Sequence, residues 1–277
     1  MTAGATTPER RLDARAHELV AALGAGRRVA PLARRGGGLA LDAAYDVAAR
    51  VHARRLARGE RPAGRKIGFT NRALWPLFGA DGPMWGWMYE GTVHDLASLP
   101  DGFALAGLAE PRIEPEVAFG LARAPEAGMD EAALMECVAW VAPGFELVQS
   151  VYPAWAFGMA DAVAAFGLHG ALVLGERYAV AGDREGWRAA LRSFALEARC
   201  DGVLVARGHA RDVLGGPLNA LRFLVEEIDR RPEGAPLAAG EVVTTGTLTG
   251  AHPVAPGQRW STQVEGAPFG GLDLRLS

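Results

Sequence analysis

Lysine is all but missing from this chain. Of its 277 residues 29 are lysine or arginine, and 28 of those are arginine, which leaves Lys66 alone. Arginine is a planar fork that stays protonated, whereas an amine is a compact charge whose pKa, ~10.4 in water, burial can pull down. A chain that writes arginine almost wherever a positive side chain serves, yet keeps one amine, calls for an amine at position 66 and not merely for a charge.

Other scarcities narrow the possibilities. Two cysteines, Cys137 and Cys200, are too few for a disulfide framework or a thiolate cluster, and both fall in apolar runs where a thiol is ordinarily inert. No run approaches the ~20 apolar residues of a membrane span. The first twenty residues lack the apolar stretch of a signal peptide and carry Glu9, Asp13 and Glu18, which a transit peptide avoids. A net charge of −3 offers nothing to nucleic acid or to an anionic membrane. The six histidines are scattered, which excludes a His-rich metal site. There is no G-x-S-x-G, no H-E-x-x-H and no G-x-G-x-x-G after a strand. Gly59 to Lys66 imitates a phosphate loop, but Arg65 intervenes and Ile67 stands where a hydroxyl is required. The expectation is a soluble cytoplasmic enzyme, since 49% hydrophobic content over this length suffices for a sizeable core.

The chain divides into an N-terminal helical segment, 1–60, and a mixed-β catalytic core, 61–277. Thr7-Pro8 opens a helix in the cap-then-proline manner, with Leu12, Ala16, Leu19, Val20 and Leu23 at helical spacing and Gly24 closing it. Asp42 is the candidate cap of a second helix, with Tyr45, Ala48, Val51 and Leu56 on one face. Strand patterns follow at 65–69, 112–121, 144–150, 169–175, 193–199, 203–207, 241–245 and 271–276. Asp201-Gly202 between two of them signals a hairpin. Helices are expected at 130–140, capped by Asp130, and at 217–230, with Pro217 in the first turn. Strand and helix do not alternate, so the fold class is α+β with a mixed or antiparallel sheet, not a doubly wound one.

The chemistry concentrates in a few carboxylates. In Arg112-Ile113-Glu114-Pro115-Glu116-Val117-Ala118-Phe119, Glu114 and Glu116 share one strand face and Ile113, Val117 and Phe119 the other. Two adjacent carboxylates repel unless a cation or a proton lies between them, and hard cations such as Mg²⁺ or Mn²⁺ take oxygen ligands. Pro115 inside the strand predicts an edge or a bulge. Glu146 stands in an otherwise apolar strand, where an unpaired carboxylate is expensive. It therefore calls for a positive partner: a metal shared with Glu114 and Glu116, or Lys66. In Thr244-Thr245-Gly246-Thr247-Leu248-Thr249-Gly250 the glycines allow backbone amides close to a ligand, and Thr247 and Thr249 can donate to a carboxylate, although a plain turn has the same pattern.

Taken in order, Lys66-Ile67-Gly68-Phe69-Thr70, Glu114-Pro115-Glu116, Glu146-Leu147-Val148, Gly216-Pro217-Leu218-Asn219-Ala220-Leu221 and Thr245-Gly246-Thr247-Leu248-Thr249-Gly250-Ala251-His252-Pro253 resemble the 2-keto-4-pentenoate hydratase and 4-oxalocrotonate decarboxylase family of the fumarylacetoacetate hydrolase superfamily, over roughly residues 40–277. The resemblance implies a mixed β-sandwich or roll with a smaller N-terminal helical part. It implies one Mg²⁺ or Mn²⁺ held by Glu114, Glu116 and Glu146, with Lys66 as catalytic lysine, and a small-molecule 2-oxo acid from aromatic-ring catabolism as substrate. A homo-oligomer is expected. The pattern departs in one stretch. Gln149 stands where the family carries an Asp, and Ala165-Phe166-Gly167-Leu168, with His169 next, replaces a polar run, while Asp161 is kept.

The first expectation is thus a metal-dependent hydratase of a 2-hydroxy-2,4-dienoate. Lys66 holds the acid or moves a proton, Thr247, Thr249 and Gln149 contact the substrate, and Asp161 or His169 handles water. Decarboxylation of a 2-oxo-dioic acid on the same site is the alternative. Hydrolysis of a C–C bond in an acylpyruvate-like acid would need a His–Glu pair that the sequence does not reveal, and a non-catalytic binding protein would follow if no metal bound. The apolar run at Phe166 and Leu168, with Gln149, predicts an alkyl-tailed substrate in preference to a dicarboxylate.

Overall fold

The computed structural model describes residues 8–231 and 234–277. Thr7, the expected first cap, lies outside them. Helix α1 is Pro8–Ala22 and α2 is Leu41–Ala57. Asp42 does not cap α2. Ala40 takes that position and Asp42 falls in the first turn, where a carboxylate suits the helix dipole and pairs with Arg231 at 3.0 Å. Leu56, expected on the packed face, is exposed, while Tyr45 and Val51 are buried. Leu19, Val20, Ala44, Val47 and Val51 share one hydrophobic cluster with Ile67, Val117 and Phe119 of the strands. No helix among the described residues is long and apolar enough to cross a membrane.

The strands follow in order: β1 (Pro62–Gly68), β2 (Met84–Tyr89), β3 (Val93–Asp95), β4 (Arg112–Leu121), β5 (Val138–Val148), β6 (His169–Leu174), β7 (Tyr178–Ala179), β8 (Ala195–Cys200), β9 (Val203–His209), β10 (Val242–Thr244), β11 (His252–Pro253), β12 (Arg259–Glu265) and β13 (Asp273–Arg275). The larger sheet runs β2-β1-β10-β4-β5-β6-β3, with β11 on β4 and β7 on β5, and the smaller runs β13-β12-β8-β9. β1–β10 and β3–β6 are parallel and the other pairs antiparallel, which is the mixed α+β architecture expected. The β8–β9 hairpin turns through Asp201 and Gly202 at φ 51° and 79°, the left-handed pair that a two-residue turn demands.

Alternate side chains separate two environments. Ile113, Phe145, Leu147, Ala171 and Val173 form a cluster with Trp260 and Leu274 of the smaller sheet. The opposite face carries Lys66, Glu114, Glu116 and Glu146. In a flat sheet β1 and β5 would run ~14 Å apart, with side chains standing off in parallel. Lys66 nevertheless reaches Glu146, so the sheet curls around this face.

Pro115 lies on a central strand, not on an edge or bulge. The pairing of β10 ends at Thr244↔Ala118 and that of β11 begins at His252↔Ile113, and in the gap the Pro115 carbonyl accepts from Leu248 N at 2.9 Å. A residue's amide and carbonyl point to the same side of a strand, so the missing N–H faces this loop and costs no ladder bond.

Arg65, next to the lysine, is fully buried. It pairs with Glu241, donates to the Ala235 carbonyl at 3.0 Å and lies over the Trp87 ring. Removing one partner of a buried pair strands the other. Arg65→Leu should therefore destabilise the fold by about 3–5 kcal/mol, read as a lowered melting temperature, and Glu241→Leu added to it should recover part of the loss. An unchanged melting temperature would show the pair to be dispensable.

Candidate active site

The sheet's curl brings one ligand oxygen each from Glu114, Glu116 and Glu146 within 4.8 Å of one another. Glu114 and Glu146 face each other across β4 and β5, and Glu116 is two residues further along β4. Glu116 Oε2 accepts from Gly246 N at 2.9 Å. Gly246 has φ +92°, and a Cβ there would lie 2.1 Å from Thr70 Oγ1, so no other residue can present this amide without displacing Thr70. Lys66 Nζ lies 3.1 Å from Glu146 Oε2, both side chains being buried. Its stem passes the 166–168 turn, which comes close because a Cβ on Gly86 would meet the Phe166 carbonyl at 2.8 Å.

Three carboxylates and one amine do not balance. Burial pushes Glu114 up to about 7 and Glu116 well above the usual carboxylate range, with Glu146 adding repulsion to both. Burial acts on Glu146 in the same sense, but Lys66 and His169 outweigh it and hold Glu146 low. Burial alone would lower Lys66. The charges of Glu146, Glu114 and Glu116 prevail instead, and the amine is held above its ordinary value, contrary to the depression that burial suggests. Glu116 Oε1 is buried with no hydrogen-bond donor, and Glu146 Oε2 meets the Lys66 amine. An all-carboxylate donor set with an orphaned oxygen fits a hard divalent cation, which would supply the missing positive charge.

His169 is part of this centre, though not of its open side. Its Nδ1 lies 2.8 Å from Glu146 Oε1 and its Nε2 2.9 Å from Thr92 Oγ1. A carboxylate can only accept, so the Nδ1–H donates to Glu146, while Nε2 meets the Thr92 hydroxyl, which also bonds the Tyr89 carbonyl at 2.9 Å. A His–Glu pair thus exists where the sequence revealed none, but its second nitrogen faces Thr92 and not the cleft. Burial keeps the imidazole below its usual pKa.

The open side is a cleft of about 330 Å³ above Lys66 and Glu114. Thr247 lines it; Thr249 does not, its hydroxyl donating to the Gly250 carbonyl at 3.1 Å. Gln149 is buried outside the cleft, accepting from Ala109 N at 3.2 Å and donating to the His169 carbonyl at 3.3 Å. Asp161 is also outside, its two oxygens taken by the amides of Ala33 at 2.9 Å and Gly158 at 3.3 Å. Leu168 lines the wall, whereas Phe166 faces the aromatic cavity beside Tyr45 and Trp85. Two of the three residues behind the alkyl-tail expectation are therefore absent from the wall. Phe78, Trp155, Phe157 and Arg112, which nothing in the sequence pattern singled out, are present.

Two consequences can be measured. A proton must leave Glu114 and Glu116 before a cation enters, so Mn²⁺ affinity should be weak below pH 7, should tighten as pH rises through it, and should be accompanied by proton release. A pH-independent affinity would contradict the buried-carboxylate account. His169→Leu should weaken Mn²⁺ binding by about 10–100-fold, and His169→Asn, which keeps a donor near the Nδ1 position, should stay closer to wild type. Equal losses in both would reduce His169 to a packing residue.

Three comparisons agree with this geometry. The sequence pattern of the fumarylacetoacetate (FAA) hydrolase C-terminal family matches residues 95–273. The chain is 34% identical over 256 residues to 2-keto-4-pentenoate hydratase 2 of Dechloromonas aromatica (strain RCB), covering 92% of this chain and 94% of that protein. It is 28% identical over 260 residues to 2-hydroxyhexa-2,4-dienoate hydratase of Comamonas testosteroni, with 92% and 94% covered. The 4-oxalocrotonate decarboxylase from Pseudomonas putida G7, complexed with magnesium and adipate, shares the fold with a TM-score of 0.87 at 23% identity, covering 98% of this chain and 99% of that one. A carboxylate-lined, curled mixed sheet with this sequence pattern places the chain in the fumarylacetoacetate hydrolase family.

Proposed function

We propose that this protein is a lyase, a metal-dependent hydratase that adds water to a 2-hydroxy-2,4-dienoate in aromatic-compound catabolism. The observation that carries this reading is the single lysine set among three converging carboxylates on the cleft floor, in a chain similar over most of its length to proteins named as hydratases of such acids. Glu114, Glu116 and Glu146 would hold Mg²⁺ or Mn²⁺, which when bound would supply Lewis-acid polarisation of the substrate's 2-oxygen.

The chain's own residues do the rest. Lys66 presents N–H donors at the cleft floor, where they hold the substrate's carboxylate or pass a proton to the terminal carbon, the amine so freed taking the 2-hydroxyl proton, which turns the dienol into a conjugated 2-oxo-3-enoate. Water then adds to the far carbon of that double bond. Thr247, on the loop that also carries the Gly246 amide, orients the acid head. His169 steadies Glu146 and does not meet the water itself.

A panel of 2-hydroxydienoates with Mg²⁺ should give products heavier by one water. Loss of CO₂ would replace this reading with the decarboxylase. Lys66→Arg should lower kcat/KM by about 10²–10⁴-fold while Mn²⁺ still binds, because charge is kept but size and proton transfer are not. Near-normal turnover in that variant would return Lys66 to chance.

A further inference from the structure

The cleft is larger than a short dienoate requires. A cavity of ~150 Å³ is enough to hold benzene. At about 330 Å³ this one has room for an acid head on the carboxylate floor and a ring beyond it. The space beyond the floor is bounded by aromatic side chains in a continuous arc. The Phe69 and Phe78 rings are 5.1 Å apart, Phe78 and Phe157 5.6 Å, and Phe157 and Trp155 5.7 Å. Such spacings leave faces and edges for a further ring.

Two of the four aromatic side chains, and Leu168 beside them, sit on unusual backbone. Phe69 has φ 56°, Trp155 φ 55° and Leu168 φ 64°, and all three line the cleft. Bulky residues rarely adopt left-handed backbone, and it persists where surrounding structure enforces it, typically at ligand clamps. Trp155 is braced further: its Nε1 donates to the Glu110 carbonyl at 2.9 Å, and the Arg112 guanidinium lies 4.1 Å over its ring. Asn71, the other polar side chain at this end, accepts from Ala73 N at 3.0 Å through its oxygen, which leaves its amide nitrogen as a donor. The far end therefore offers wide apolar faces, with that amide and one guanidinium stacked on an indole at its edge.

We propose that the acid taken by this cleft carries an aromatic ring, or an equally wide apolar group, at the end remote from its 2-oxo-carboxylate head, and not a second carboxylate. The proposal rests on the reading above that the head binds at the carboxylate floor. It shifts the substrate class from short alkyl acids to aryl-substituted ones, and makes Phe78, Trp155 and Phe157 the residues that set specificity.

The test is calorimetric titration of the Mg²⁺-loaded protein with three unreactive acids that share one head: 2-oxobutanoate, 2-oxohexanedioate and 2-oxo-4-phenylbutanoate. The phenyl acid should bind about ten- to hundredfold tighter than 2-oxobutanoate, and tighter than the dioic acid. Phe157→Ala should bring the phenyl-to-butanoate ratio down by at least about fivefold. Phe78→Ala, on the half-exposed rim, provides the same reading if the first variant melts early. Similar affinities for all three acids would overturn the aromatic wall and leave the head site standing. Tightest binding of the dioic acid would also overturn it and assign the far end to Arg112. Failure of every acid to bind in the presence of Mg²⁺ would remove the head site and this inference together.

Discussion

Glu116 and Glu146 are buried and Glu114 half-buried within reach of one another, offset by the Lys66 amine, the His169 imidazole beside Glu146 and the Arg112 guanidinium near Glu114. Like charges this close in a poorly solvated place are costly unless a proton or a cation intervenes. The fold depends on keeping that arrangement tolerable. β4 and β5 supply the carboxylates, β1 is bent round to bring Lys66, and β6 starts with the histidine that holds Glu146. The same imbalance that would burden a purely structural core would suit the site to a divalent cation.

Around that floor the chain uses close backbone approach and strained backbone to put specific side chains in place. Gly246 lets its own amide reach Glu116, and Gly86 lets the 166–168 turn close over the lysine stem. The walls are apolar where the floor is ionic. That contrast separates an ionic end from an apolar one within a single cleft.

Much of this was legible in residue order. β4 appears at the bounds its alternation predicts, and the Asp201-Gly202 hairpin forms as its turn residues dictate. The converging carboxylates and the lysine follow from two arguments made separately, one from strand faces and one from composition. Less regular elements were not legible. Met84–Tyr89 reads as a mixture of glycine and bulky apolar residues with no alternation, because it packs on both faces and passes close to another backbone. β5 begins at Val138, inside the stretch expected to finish a helix, since apolar residues there satisfy either period. Gln149 and Asp161 looked functional as polar residues in apolar surroundings, but backbone amides and carbonyls satisfy them locally.

Sequence was enough for the α+β class, the family and the three carboxylates and lysine that the fold brings together. These depend on local periodicity and on residue types with few substitutes, which survive in a one-dimensional pattern. It could not place the wall. Phe69 with Phe78, Arg112, and Trp155 with Phe157 come from three separate stretches of the chain, and Phe166 faces the far side of the turn that aims Leu168 into the cleft. Which of these side chains meets a substrate depends on backbone angles and on how one segment lies over another. Those are set by packing across the whole fold, and no spacing between residues encodes them.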